Sequence, residues 1–204
     1  MSGELFTETI EALGTFAFAI NGIRLAAAKK YDVIGAVIVG FVTAVGGGTL
    51  RDLLLGAPVF WLSAPRYLLW TLVAMLFFLL FRELVDRLGQ AIMLFDTLGL
   101  ALFNMVGIKV ALGMGSSMLV AVIMGMITGT AGGVFRDILI QEQPVILQKK
   151  EIYAVACLSG GVIYAGGYHF GVNDIFLQIA TITIVICVRI VTHRKNITLP
   201  YADA

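Results

Sequence analysis

The sequence predicts an all-α integral membrane protein. Seven transmembrane helices form two inverted three-helix repeats plus a seventh helix, with Gly-rich, kinked helices two and five, in a single transmembrane domain over residues 1–204. Three observations predict it. The hydrophobic fraction is 59% and the charged fraction 13%, against roughly a quarter charged in soluble domains. Uncharged runs cover Val33 to Leu50, Val110 to Phe135 and Ile152 to Asn173, each near the ~20 residues that cross a hydrocarbon core. The third is a match of the sequence to itself at an offset of 85 residues.

Taken in order, the first span, Phe6–Ala27, carries Glu8, Glu11, Asn21 and Arg24 close to or within it. Val33–Leu55 follows, with Gly46, Gly47 and Gly48 near its middle and Arg51-Asp52 near its end. The third, Arg66–Phe81, is preceded by Trp61 and contains Tyr67 and Trp70, an aromatic belt suited to the membrane interface. Ala91–Lys109 holds Asp96 and Asn104, and Ser117–Ile140 holds Thr128, Thr130, Gly132, Gly133 and Arg136-Asp137. Ile152–Tyr168 and Asp174–Val191 complete the set. Short links predict antiparallel neighbours. Repeat one covers about 6–82, repeat two about 91–168, and helix seven 174–191.

Basic residues beside the spans set orientation. With the N-terminus outside, inner segments hold Lys29, Lys30, Arg82, Arg87, Lys149, Lys150, Arg194 and Lys195; the outer loops show Arg66, with Glu4, Glu8 and Asp174 near the outer ends. N-terminus outside and C-terminus in the cytoplasm is therefore expected. The stretch Met1 to Glu11 is acidic where a signal peptide would be basic, so insertion by the chain's own spans is expected.

At the 85-residue offset, ten of the nineteen positions from Ala36 to Leu54 are identical to their partners, including Gly47-Gly48 with Gly132-Gly133 and Arg51-Asp52 with Arg136-Asp137. Gly14 meets Gly99, Phe18 meets Phe103, Gly22 meets Gly107 and Arg24 meets Lys109 in the same register. A unit of three spans is odd, so its second copy enters the membrane inverted, an arrangement that gathers function at Gly-interrupted helices of the two halves.

The glycines admit two readings. Gly40-Ala44-Gly48 and Gly125-Gly129-Gly133 place small residues at every fourth position, a face for close helix packing. Gly46–Gly48 and Gly132-Gly133 equally suit a hinge or pore wall, since glycine weakens a helix by about 1 kcal/mol relative to alanine. Arg51 and Arg136 either line a conduit beside Asp52 and Asp137, or snorkel to the interface while each Asp caps a helix end. Thr49, Thr130 and Asn104 are further candidates for a polar path.

A formal net charge of +1 gives no bulk attraction for nucleic acid. Cys157 and Cys187 lie in apolar runs and read as core residues, and His169 and His193 are too far apart to suggest a metal site. No phosphate-cradling loop, zinc motif or clustered metal ligands point to an enzyme, and no cofactor is expected.

The doubled Gly-Gly-x-x-Arg-Asp motif, at residues 47–52 and 132–137, resembles the prokaryotic branch of the trimeric intracellular cation (TRIC) channels, whose bacterial members are often labelled with a "glycine transporter" domain. The resemblance covers about residues 6–192. It implies a homotrimer with one pore per subunit in the plasma (inner) membrane among membrane lipids, permeable to monovalent cations and chiefly potassium. Spans two and five would shape the conduit, with Gly46–Gly48 and Gly132-Gly133 as kinks and Arg51 and Arg136 beside the pore. A secondary transporter of a small amino acid such as glycine, and a lipid-binding or structural trimer, are the alternatives.

Overall fold

The computed structural model describes residues 3–87, 91–147, 152–195 and 197. Lys149 and Lys150, counted above toward the inner basic residues, lie outside these. Among the described residues there is no strand, and seven helices exceed two turns. They are α1 (Gly3–Ala28), α2 (Val33–Leu55), α3 (Arg66–Leu80), α4 (Ala91–Gly113), α5 (Met118–Leu139), α6 (Tyr153–His169) and α7 (Asp174–Arg194). A six-residue helix, Arg82–Arg87, follows α3, and single 3-10 turns at Phe60–Leu62 and Val145–Leu147 precede α3 and α6.

Five of the seven are long and apolar enough to cross a membrane: Leu5–Ala28, Val33–Leu55, Met93–Gly113, Met118–Leu139 and Asp174–Arg194. The other two are the third helices of each repeat. With 15 and 17 residues, α3 and α6 rise only ~22 and ~25 Å at 1.5 Å per residue. In both halves a loop and a 3-10 turn precede the third helix.

The 85-residue offset reappears as matched local geometry. Asp32 caps α2 by accepting from Gly35 N at 2.7 Å, and Ser117 caps α5 by accepting from Val120 N. Lys30 and Gly115 hold left-handed conformations just before those caps (φ 62° and 78°). Past the helix ends, Gly56 and Gln141 do the same (φ 67° and 59°). The second of each pair lies 85 positions after the first. Gly56 has the residue type the conformation favours, while Gln141 adopts it with a side chain.

The halves meet where α2 crosses α5, and the contact is reciprocal. A Cβ at Gly47 would run into the Thr128 carbonyl, and a Cβ at Gly132 into the Thr43 carbonyl. The flanking contacts are exchanged in the same way: Gly14 faces the Phe103 ring and Gly99 the Phe18 ring. Within each half, Gly22 abuts Thr43 and Gly40, and Gly107 abuts Thr128 and Gly125. Equivalent residues thus trade places across one pseudo-two-fold axis, as an inverted repeat requires. The helical assignment runs through both glycine runs without interruption. Gly47 and Gly132 are where the two backbones touch.

Opposite ends of the bundle are tied separately. At one, Lys29 pairs with Glu142 and Tyr31 Oη donates to Leu139 O at 2.7 Å. At the other, Lys109 Nζ reaches Asp174 Oδ2 at 3.0 Å and Thr7 Oγ1 at 3.1 Å. The outward faces of α2, α3 and α5 carry exposed Ile38, Leu69, Leu76, Leu119 and Ile123, as lipid-facing helices should.

Alanine at Gly47 or Gly132 is expected to lower stability by about 1–3 kcal/mol through overpacking against backbone. Gly166→Ala, where an added Cβ meets nothing within 4 Å, should be neutral or stabilising by about 0.5–1 kcal/mol. Thermal denaturation in detergent checks both; equal shifts at Gly47 and Gly166 would disprove the crossing contact.

Candidate functional site: two buried arginine–aspartate staples

The Arg-Asp pairs sit in the last turns of α2 and α5, just beyond the glycine crossing. Arg51 and Arg136 are 4% and 2% exposed, so neither snorkels to an interface. In repeat one, Arg51 Nε and Nη2 both approach Asp52 Oδ1, at 2.8 and 2.7 Å. Asp52 Oδ2 then accepts from Phe60 N at 2.9 Å, in the 3-10 turn that leads into α3. Repeat two copies this atom for atom: Arg136 Nε and Nη2 reach Asp137 Oδ1 at 2.8 Å, and Asp137 Oδ2 accepts from Val145 N at 2.9 Å. Each staple pairs a buried cation, occupies its carboxylate, and satisfies a backbone N–H that lipid could not.

The halves differ in what surrounds the staple. In repeat one, Glu11 of α1 accepts from Tyr67 Oη at 2.6 Å rather than pairing with Arg51. A cavity of about 220 Å³ opens there, lined by Glu11, Gly48, Arg51, Asp52, Tyr67 and Phe103 among others. In repeat two, Asp96, the equivalent of Glu11, accepts on Oδ1 from Arg136 Nη1 at 2.7 Å and from Asn21 Nδ2 at 2.9 Å. Asp96 Oδ2 also faces Arg189 Nη2 of α7 at 4.0 Å. Arg189 stacks over the Tyr153 ring, 4.6 Å from its centroid. In repeat one, Arg51 is thus paired with Asp52 alone while Glu11 serves Tyr67 and, at 3.9 Å, the exposed Arg66; in repeat two, two buried guanidiniums face two carboxylates. Helix α7 has no counterpart, and it is α7 that makes the halves unequal.

The remaining candidates fall into place around this frame. Gly48 faces the Phe60 ring; Gly133 faces Tyr153 Oη and the Arg136 guanidinium; Gly46 faces Phe135. Thr49 Oγ1 donates to Val45 O at 2.8 Å and accepts from Trp61 Nε1 at 2.9 Å, while Thr130 Oγ1 donates to Met126 O at 2.8 Å. Asn104 lies away from both staples, its amide between Gly125 and Gly160. Sequence reasoning missed Arg189 and Tyr153 as partners of Asp96; the available signal was an arginine embedded in the otherwise apolar seventh span.

This architecture matches known proteins along nearly its whole length. A family model described as "Glycine transporter" matches residues 8–83 and 93–169. A solved TRIC trimeric intracellular cation channel orthologue from Rhodobacter sphaeroides shares 34% identity, with a TM-score of 0.89 over 94% of this chain and 99% of that one. The chain belongs to the prokaryotic TRIC family. A further prokaryotic TRIC channel, solved in 0.5 M KCl, superposes with a TM-score of 0.86 at 30% identity over 96% of this chain and all of that one. Among sequence relatives, the Escherichia coli K12 inner membrane protein YadS is 37% identical over 194 residues, covering 94% of this chain and 93% of its own. The Bacillus subtilis membrane protein YvgT is 34% identical over 195 residues, covering 95% of each. The family's solved members are described as cation channels rather than enzymes, and this chain is an integral membrane protein like its relatives.

Removing Asp96 leaves two buried guanidiniums without their shared carboxylate. Asp96→Ala is expected to destabilise by about 3–5 kcal/mol, and Glu11→Ala by about 1–2 kcal/mol, since it frees the Tyr67 hydroxyl and removes a long contact with the exposed Arg66. Unfolding midpoints of the two purified variants check the order; equal losses would refute the asymmetry of the halves.

Proposed function

We propose that the chain is a potassium-permeable, monovalent cation channel, acting as a homotrimer with one pore in each subunit. The observation that carries this reading is the duplicated, fully neutralised staple beside the α2–α5 crossing, on a fold shared end to end with cation channels. A bare arginine beside a conduit would raise a positive barrier against cations. Here each of the two stapled guanidiniums is bound to at least one carboxylate at 2.7–2.8 Å, which removes that barrier. The cavity at Arg51 has an excess of carboxylate, so it concentrates cations at one mouth of the subunit. Gly46–Gly48 and Gly132-Gly133, with Thr49, Thr130 and Asn104, are assigned to the helices that bound the conduit.

The chain sits in the inner membrane with its N-terminus outside and its C-terminus in the cytoplasm. Lys29 and Lys30 support this, since the tie from Lys29 to Glu142 places the α1–α2 and α5–α6 links on one face. Residues 1–204 form one transmembrane domain, with repeat one at about 6–82 and repeat two at about 91–168.

Purified protein in planar bilayers under a potassium gradient should show discrete openings that reverse near the potassium potential. Silence, together with uptake of radiolabelled glycine into proteoliposomes, would replace the channel with a transporter. Glu11→Gln should lower conductance more at ~0.01 M than at ~1 M salt, because the Debye length shrinks from about 30 to 3 Å. A loss independent of salt would show that Glu11 does not act through its charge on the conduit.

A further inference from the structure

Most of the bundle's buried polar groups are satisfied, and several of the exceptions lie on α4 and α7. Among the described residues, buried side-chain atoms lacking a hydrogen-bond partner include both amide atoms of Asn104, Thr97 Oγ1, Gln178 Oε1 and Asn21 Oδ1. Four of these five atoms belong to α4 and α7. The fifth belongs to Asn21, whose amide already reaches across to Asp96 on α4. An unsatisfied amide in a lipid-embedded core costs several kcal/mol.

The place is a defined seam. One face of α7 presents Asp174, Gln178, Thr181 and Arg189 at three-, four- and eight-residue steps, and the last three are at most 2% exposed. Gln178 Nε2 is used by Asp174 Oδ2 at 2.7 Å, and Thr181 Oγ1 donates to Gly160 O at 3.4 Å, the long end of such a bond. Asn104 projects into the same seam from α4. A Cβ at Gly125 would press on its Nδ2 at 3.2 Å, and one at Gly160 on its Oδ1 at 3.1 Å. Two glycines therefore make the slot in which this amide stands. Repeat one has nothing equivalent, because the residue 85 positions before Asn104 is Ala19 and α7 has no counterpart.

The chemistry of the orphaned atoms selects the occupant. Asn104 Nδ2 needs an acceptor, while Asn104 Oδ1 and Gln178 Oε1 need donors. A bare cation would serve the two amide oxygens but leave the Asn104 Nδ2 donor without an acceptor, whereas water donates and accepts at once. We propose that ordered water occupies the seam between α4, α6 and α7, bridging the Asn104 amide to Gln178 and Thr181. The seam is then a wet joint on one side of the subunit only, and α7 rests on repeat two through water as well as side chains. This inference does not depend on the channel reading, and neither measurement below uses ion flux.

Synchrotron radiolysis converts bound water to hydroxyl radical in place, so it reports hydration directly. In the full-length protein carrying Val185→Met, in lipid nanodiscs, the new thioether, which shares the space at Gly160 with the Asn104 amide and Thr181, should be oxidised about tenfold faster than Met105. Met105 is fully buried and follows Asn104 directly, so it serves as an internal dry control of the same side-chain type. Oxidation at 185 no faster than at Met105 overturns the proposal. The second measurement is thermal. Asn104→Leu and Gln178→Leu should each lower the unfolding midpoint by about 2–4 °C, and the double variant should fall no further than the worse single one. Additive losses, or a midpoint raised by Asn104→Leu as expected for relief of a dry amide, overturn it equally.

Discussion

The approach of α2 to α5, glycine against carbonyl in both directions, is the contact on which the rest of the subunit depends. Lipid offers no hydrophobic drive for helices to associate, so shape and small residues must supply it. Gly47 meeting Thr128 and Gly132 meeting Thr43 place the two halves about one axis. Once that crossing is made, the last turns of α2 and α5 and their Arg-Asp pairs have defined positions.

Those pairs solve two problems of the hydrocarbon interior together. A guanidinium buried to 4% or 2% exposure must have a carboxylate. A loop that breaks the helical ladder must find partners for its backbone N–H groups. Asp52 and Asp137 answer both, with Oδ1 on the arginine and Oδ2 on the turn at Phe60 or Val145.

The symmetry is strict in the backbone and relaxed in the charges. Turns, caps and left-handed residues recur at the 85-residue offset, yet Glu11 binds a tyrosine while Asp96 binds an arginine. Helix α7 accounts for the difference by adding Arg189 to one half only. Repeat one thus keeps a cavity lined by Glu11, Arg51 and Asp52, while repeat two gathers two cations and two anions around Asp96.

Much of this was legible in the amino-acid order alone. Apolar runs separated by short links define the spans to within a few residues, because crossing ~30 Å of hydrocarbon leaves few choices of length. The repeat was equally plain, since an Arg-Asp pair following two glycines in one register is not a product of apolar composition. What the sequence left open was that Gly47 and Gly132 bring two backbones into contact, and whether the arginines reach an interface or lie buried against their aspartates. It also did not reveal that Arg189 and Tyr153 gather around Asp96, or that Asn104 stands in a slot between two glycines. Each of these depends on which faces of helices distant in sequence come together, a matter of interhelical distance and rotation that periodicity within a single span does not encode. The sequence by itself determined the spans and their inverted duplication; only the tertiary structure decided which buried charges share a partner, because pairing across α4, α5 and α7 exists only after they pack.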